Sequence, residues 1–189
     1  MRSTCYRNLF VLACLILVRI ETVEAKEPGP SGPQPGAKPG PYSFLVATGT
    51  EKGQLTCYVC ETAEKPGIII FARSLSEPLA RLVVACDNTL TSRPKDSIRG
   101  WLTVLGEKTA TPDELGKWAK QTGLKTTPVG IFDDPVGPPS YKLADDADIT
   151  ILLFENRKVV ENFAFAKGAV DADAIKRVSE RMKQFGAKK

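Results

Sequence analysis

No histidine occurs anywhere in the 189 residues, and that absence removes a large part of ordinary protein chemistry. Haem attached through CxxCH, zinc held by imidazole, and Ser-His or Cys-His catalysis are all excluded. Clusters of basic residues are lacking too: the net charge is only +4 and is scattered along the chain, so a nucleic-acid footprint is not expected. Long apolar runs are missing as well. The longest, Leu9 to Val18, is stopped by Arg19 and Glu21, about half of the roughly 20 residues that a spanning helix needs.

That short run, with Arg2 and Arg7 before it and Val23-Glu24-Ala25 after it, reads as a secretory signal over residues 1–25, cut near Ala25. The expected location is therefore periplasmic or secreted, with no integral membrane segment after cleavage. Anchoring at the membrane is the alternative, through an uncleaved leader or a lipid on Cys14 in Val11-Leu12-Ala13-Cys14. Cleavage would remove three arginines against two glutamates and lower the net charge from +4 to +3. Residues 26–41, KEPGPSGPQPGAKPGP, are so dense in proline and glycine that they read as a disordered, solvated linker. The domain proper is then 42–189, of a size and composition that suit one buried core.

Five cysteines are present, and Cys5 and Cys14 leave with the signal. Cys57, Cys60 and Cys86 remain, an odd number that permits one internal bridge and one free thiol in an exported chain.

The run Ile68-Ile69-Ile70-Phe71-Ala72 has no polar alternation and suits a strand buried on both faces. Before it, Tyr42 to Ala47 and Leu55 to Tyr58 are β-prone pieces around glycines, read as an edge strand or irregular hairpin. After it, Ser76 can cap a helix whose Leu79, Leu82, Val83, Cys86 and Leu90 recur at helical spacing, which puts Cys86 in the core. Trp101 to Leu105 is the next strand. Thr111-Pro112-Asp113-Glu114 carries a capping box for a helix ended by Gly123, and Pro128 to Phe132 follows as a strand. A brief helix is expected from Gly137-Pro138-Pro139 to near Ala144. Ile149 to Phe154 and Val159 to Phe165 form a hairpin about Glu155-Asn156-Arg157-Lys158, and Asp171 caps a last helix with Ile175, Val178, Met182 and Phe185 on one face. Lys188 and Lys189 read as a frayed end.

This order, with IIIFARSLSEPLARLV, WLTVLGE, PDELGKWAKQTGL and PVGIFDDPVGPPSYKLADDADITILLFENRKVV, resembles the thioredoxin-like superfamily in its peroxiredoxin and AhpC/TSA branch. The resemblance spans roughly residues 66 to 185. It implies an α/β thioredoxin-like fold: a mixed central sheet with helices on both faces, closed by a C-terminal β-hairpin plus helix. It also implies where a site should be, just after the first central strand. There this chain has Arg73-Ser74-Leu75-Ser76-Glu77-Pro78 with no cysteine, and Asp148-Ile149-Thr150 stands where the family has a cis-proline. Peroxidase or ordinary thioredoxin chemistry is therefore not expected at that pole.

The remaining candidate is Cys57-Tyr58-Val59-Cys60, displaced to the entry side of the core strand. A five-residue strand spans roughly 17 Å, so this pair should lie at the opposite end of the sheet. If the segment turns, the two sulfurs can bridge; if it stays extended, residues three apart face opposite sides. No helix start is expected there to activate a thiol. Two readings stand: an exchangeable redox dithiol acting on a protein partner, or an inert binding scaffold in which the pair is a local structural bridge. A metal-binding module is the third, through three thiolates that recruit Cys86, or through Asp133, Asp134, Asp145, Asp146 and Asp148 in two loops that the topology could bring together. No cofactor is expected, and the sequence sets no oligomeric state.

Overall fold

A computed structural model of the chain describes residues 28–186. The leader, with Cys5 and Cys14, and the terminal Lys188 and Lys189 lie outside the described residues.

Apolar strands that cannot be solvated on either side build the centre of the molecule. They are β3 (Gly67–Ala72), every residue of which is buried, β4 (Arg99–Leu105) and β6 (Ile149–Glu155). With β1 (Phe44–Val46), β2 (Leu55–Thr56), β5 (Val129–Phe132) and β7 (Lys158–Phe165) they form one sheet of order β2-β1-β5-β4-β3-β6-β7. The pairs β3/β4 and β4/β5 are parallel, while β1 and β6 run antiparallel to their neighbours. The β6–β7 hairpin turns at Asn156 and Arg157, both with positive φ (50° and 59°), as a two-residue turn matched to the sheet's twist requires.

Helices α2 (Glu77–Thr91), α3 (Pro112–Thr122) and α4 (Ala172–Gln184) begin where the expected caps stand. Ser76, Thr111 and Asp171 each accept a backbone N–H of the first turn, and Glu114 completes the capping box. Successive right-handed crossovers step from β3 to β4 to β5 in one direction, so α2 and α3 fall on the same face. There they share with α4 an aliphatic core containing Ile68, Ile70, Leu102, Val104, Leu82 and Val178. The other face is aromatic: Tyr42, Phe44, Tyr58, Phe71, Trp101, Tyr141 and Phe154 pack together, with the Trp101 indole N–H donating to the Tyr42 hydroxyl at 2.8 Å.

That second face is covered by a short helix, α1 (Tyr58–Thr62), by the 133–148 loop, and by the proline-rich segment. The segment is not a solvated linker. Ser31 is fully buried, bonds Thr150 Oγ1 at 2.6 Å and accepts the Ala144 N–H at 3.0 Å. The Asn162 amide donates to the carbonyls of Ser31 and Pro33, and residues 36 and 37 exchange backbone hydrogen bonds with Val159 on the outer edge of β7. Its composition rules out an independent core but not docking on a ready-made edge. Prolines pre-set an extended chain with few N–H groups to satisfy, and an unpaired edge strand gains a cover.

Two further expectations change. Residues 137–144 make consecutive turns rather than a helix, closed by Gly137 N–H to Asp134 O and Tyr141 N–H to Pro138 O, since Pro138 and Pro139 have no N–H with which to continue a helical ladder. And of Leu55 to Tyr58, read as a β-prone piece, only Leu55–Thr56 is strand; Tyr58 opens α1, a helix of five residues where no helix start was expected.

Candidate functional site

The paired cysteines stand at the pole where β3 begins. Gly67, the first residue of β3, pairs with Phe154, whereas Ala72 at the far end pairs with Ile149 and leads towards Ser76. Cys57 and Cys60 thus lie a strand length, roughly 17 Å, from the end where the family resemblance places a site. They are bonded to one another, with Cα atoms 5.3 Å apart. Cys57 is the N-cap of α1 and its sulfur accepts the Cys60 N–H at 3.3 Å. A helical turn is what brings residues three apart to one side, and it decides the conditional left open by the sequence in favour of a bridge.

Why the turn holds is visible in the residue between the cysteines. Tyr58 is buried, edge-on to Phe44 at 5.2 Å and to Trp101 at 5.6 Å, and so pins α1 to the aromatic core. Its hydroxyl donates to Glu51 at 3.1 Å; burial, reinforced by the Glu51 charge, pushes the phenol up to about 12. The Arg99 guanidinium sits 3.8 Å over the Tyr58 ring and pairs with both Glu51 and Glu61. The cysteines themselves differ: Cys57 is half-buried and Cys60 is exposed. Cys60 borders an open cleft of about 220 Å³, whose walls include Lys38, Pro39, Val59, Phe154 and Arg157. Phe154 can stand there because its partner on β3 is Gly67; any Cβ at that position would collide with the ring. Sequence reading missed Lys38 and Arg157 as parts of this site, since they converge only through the docked segment and the hairpin turn.

Cys86 is on α2, buried in the aliphatic core on the other side of the sheet. Burial, then the neighbouring Asp87, pushes its thiol up to about 12. The three-thiolate site is thereby overturned, because Cys86 faces the helices and the Cys57–Cys60 pair faces the aromatic layer. The two acidic loops do not bring their carboxylates together either. Among the described residues, no three histidine, cysteine, aspartate or glutamate side chains come together as a metal would need. Asp133 and Asp134 accept backbone N–H groups of their own turn, Asp145 and Asp146 point to solvent, and Asp148 accepts the Ser74 hydroxyl at 2.9 Å.

At the far pole, an arginine occupies the space. The Arg73 guanidinium donates to the carbonyls of Pro135, Ala144 (3.2 Å) and Ala147 (3.0 Å), tying both acidic loops to the end of β3. The gap left among Phe71, Arg73, Leu105 and Asp148 is too narrow to admit water.

A strand-helix-strand unit followed by a hairpin and helix, on a mixed seven-stranded sheet, defines the thioredoxin-like class of folds, and comparison with solved structures places this chain in it. A proposed protein disulfide isomerase from Bacteroides thetaiotaomicron superposes with a TM-score of 0.66 at 12% identity, over 85% of this chain and 96% of that one. Peroxidoxin BcpB from Mycobacterium tuberculosis gives 0.56 at 10% identity, over 80% and 97%. A proposed thiol:disulfide interchange protein DsbE from Chlorobium tepidum gives 0.54 at 14%, over 78% and 98%. At such identities the likeness is one of fold. No family model matches the chain, and no curated protein sequence does.

Proposed function

We propose that this protein is an exported thiol-disulfide exchange protein that works through Cys57 and Cys60, at the opposite pole of the fold from the site of ordinary thioredoxins and peroxiredoxins. One observation carries the reading: the two sulfurs form a bridge whose outer member, Cys60, is exposed on an open cleft. A sulfur in that position can be reached by a partner thiolate, which is the first requirement of exchange. Chemistry at the far pole is disfavoured by the Arg73 plug and by the lack of any cysteine between Arg73 and Pro78. Export is supported by the signal-like residues 1–25 and agrees with a bridge that persists in an oxidising compartment. Among the described residues, no helix is long and apolar enough to cross a membrane.

Equilibration in glutathione buffers, with the redox state counted by alkylation and mass, tests the proposal. The reduction potential is expected between about −300 and −120 mV, the range in which protein dithiols exchange, and reduction of a model disulfide should vanish in Cys57→Ser. A potential below that range, with no turnover, would mean that the bridge is a staple. The protein is then a binding scaffold.

A further inference from the structure

We infer that the cleft beside Cys60 is the docking groove for a cysteine-bearing peptide segment with acidic flanks, and that exchange there has a fixed polarity: the partner's thiolate attacks Cys60, and Cys57 leaves. This rests on the exchange reading above and gives it a substrate class and a direction.

The charge argument comes from the walls. Lys38 and Arg157 both line the cleft and no acid does. Among the described residues neither takes part in an ion pair, while Glu61, the acid closest in sequence to Cys60, is turned away to Arg99. Both cations are carried on backbone that is itself hydrogen-bonded in place. Residues 36 and 37 exchange hydrogen bonds with Val159 at 2.8 and 2.9 Å, which delivers Lys38 to the rim. Arg157 sits in the left-handed turn of the hairpin, and the neighbouring Asn156 N–H donates to Glu64 O at 3.0 Å, so that the turn is tied to the chain just after α1. Pro39, Val59 and Phe154 line the same cleft and give it apolar surface that suits an extended chain with an apolar residue beside its cysteine. Two unpaired cations beside apolar surface select a segment with carboxylates flanking the reacting sulfur.

The polarity argument comes from access. Cys60 is the sulfur that borders the cleft; Cys57 is half-buried behind it and does not line it. A thiolate arriving from the cleft bonds to Cys60 Sγ while the Cys57–Cys60 bond breaks, and the electron pair leaves on Cys57 Sγ, which already accepts the Cys60 N–H. The partner's second thiolate then attacks its own sulfur in the mixed disulfide and releases Cys60 as a thiolate. In sum the partner's dithiol becomes a disulfide, Cys57 and Cys60 become thiols, and the two protons lost by the partner end on them.

Full-length protein and synthetic peptides test this. Reduced Cys57→Ser and Cys60→Ser variants are mixed with a single-cysteine peptide, flanked by aspartates or by lysines and activated as its thionitrobenzoate disulfide, and release of the chromophore is followed. Cys57→Ser, which keeps Cys60, is expected to react at least about 10-fold faster than Cys60→Ser, and with the acidic peptide about 10-fold faster than with the basic one at low salt. The second ratio should collapse in high salt and in Lys38→Gln/Arg157→Gln, both exposed positions, while the melting temperature of the double variant stays that of the wild type. Faster reaction at Cys57, or no preference between peptides, overturns the inference even if dithiothreitol reduces the wild-type bridge readily. If dithiothreitol fails to reduce it, the exchange reading falls, and the groove with it.

Discussion

An exchangeable bridge must open without unfolding the protein, and the geometry allows the cost of opening it to be worked out. Cys57 and Cys60 are three apart in sequence, so the bridge closes a loop of four residues. In the chain-entropy treatment such a loop restricts the unfolded state by about 6 cal/mol/K, or about 1.9 kcal/mol at 25 °C. Replacing both cysteines by serine isolates this cost, because serine at position 57 is itself a good N-cap and keeps an acceptor for the first turn of α1. Helix α1 has a second attachment that does not depend on sulfur, the Tyr58 ring wedged between Phe44 and Trp101. The double variant, and wild-type protein after reduction, should therefore remain folded and lose about 2 kcal/mol, which for a chain of this size lowers Tm by about 4–8 °C. Urea unfolding followed by the fluorescence of buried Trp101 reads the difference directly. A loss above about 4 kcal/mol, or unfolding on reduction, would refute the anchoring by Tyr58 and mark the bridge as a staple.

Two further outcomes test the surrounding structure. The Asp87 carboxylate is buried on α2 and accepts the N–H groups of Lys125, Thr126 and Thr127 at 2.8 Å. Asp87→Ala strands those three donors and should cost about 3–5 kcal/mol in chemical denaturation. Burial alone would push Asp87 up, but the donors from Lys125 and Thr126 outweigh it and hold its pKa below the usual value. Its stabilisation is thus complete above the unfolded carboxylate's pKa of about 3.9 and is lost as pH falls through the lower folded value, so wild-type and Asp87→Ala stabilities should converge in acid. Cys86, buried and with its thiol pushed up to about 12, should resist alkylation at pH 8 in native protein even after Cys57 and Cys60 have been reduced and labelled, and react only on unfolding. Labelling of all three at similar rates would contradict the packing of α2.

Much of this molecule follows from local pattern. Unalternating apolar runs can only be strands covered on both sides, so β3 and β6 could be placed from Ile68 to Ala72 and from Ile149 to Phe154. Ser76, the capping box of Thr111 and Glu114, and Asp171 mark helix starts because they satisfy orphan N–H groups within a few residues of themselves. With these elements in order, the thioredoxin-like chain path and the placement of the cysteine pair before β3 were both legible. So was the burial of Cys86, from its place on a helical stripe.

Three things required tertiary structure, each because its cause lies far away along the chain. The proline-rich segment looks unfoldable by composition, yet it is ordered by strands more than a hundred residues later, through Thr150 of β6 and Val159 and Asn162 of β7. Helix α1 is too short to be stable or predictable by itself, and exists because Tyr58 finds Phe44 and Trp101 in the aromatic layer. Lys38 and Arg157 meet at Cys60 only when the segment and the hairpin turn have both docked. The sequence by itself thus determined the elements, their order and the identity of the sulfur pair, since these depend on neighbours within a turn or a strand. Tertiary structure alone decided what surrounds that pair, because a surface cleft is made by residues that share no local pattern and are brought together by the packing of the sheet.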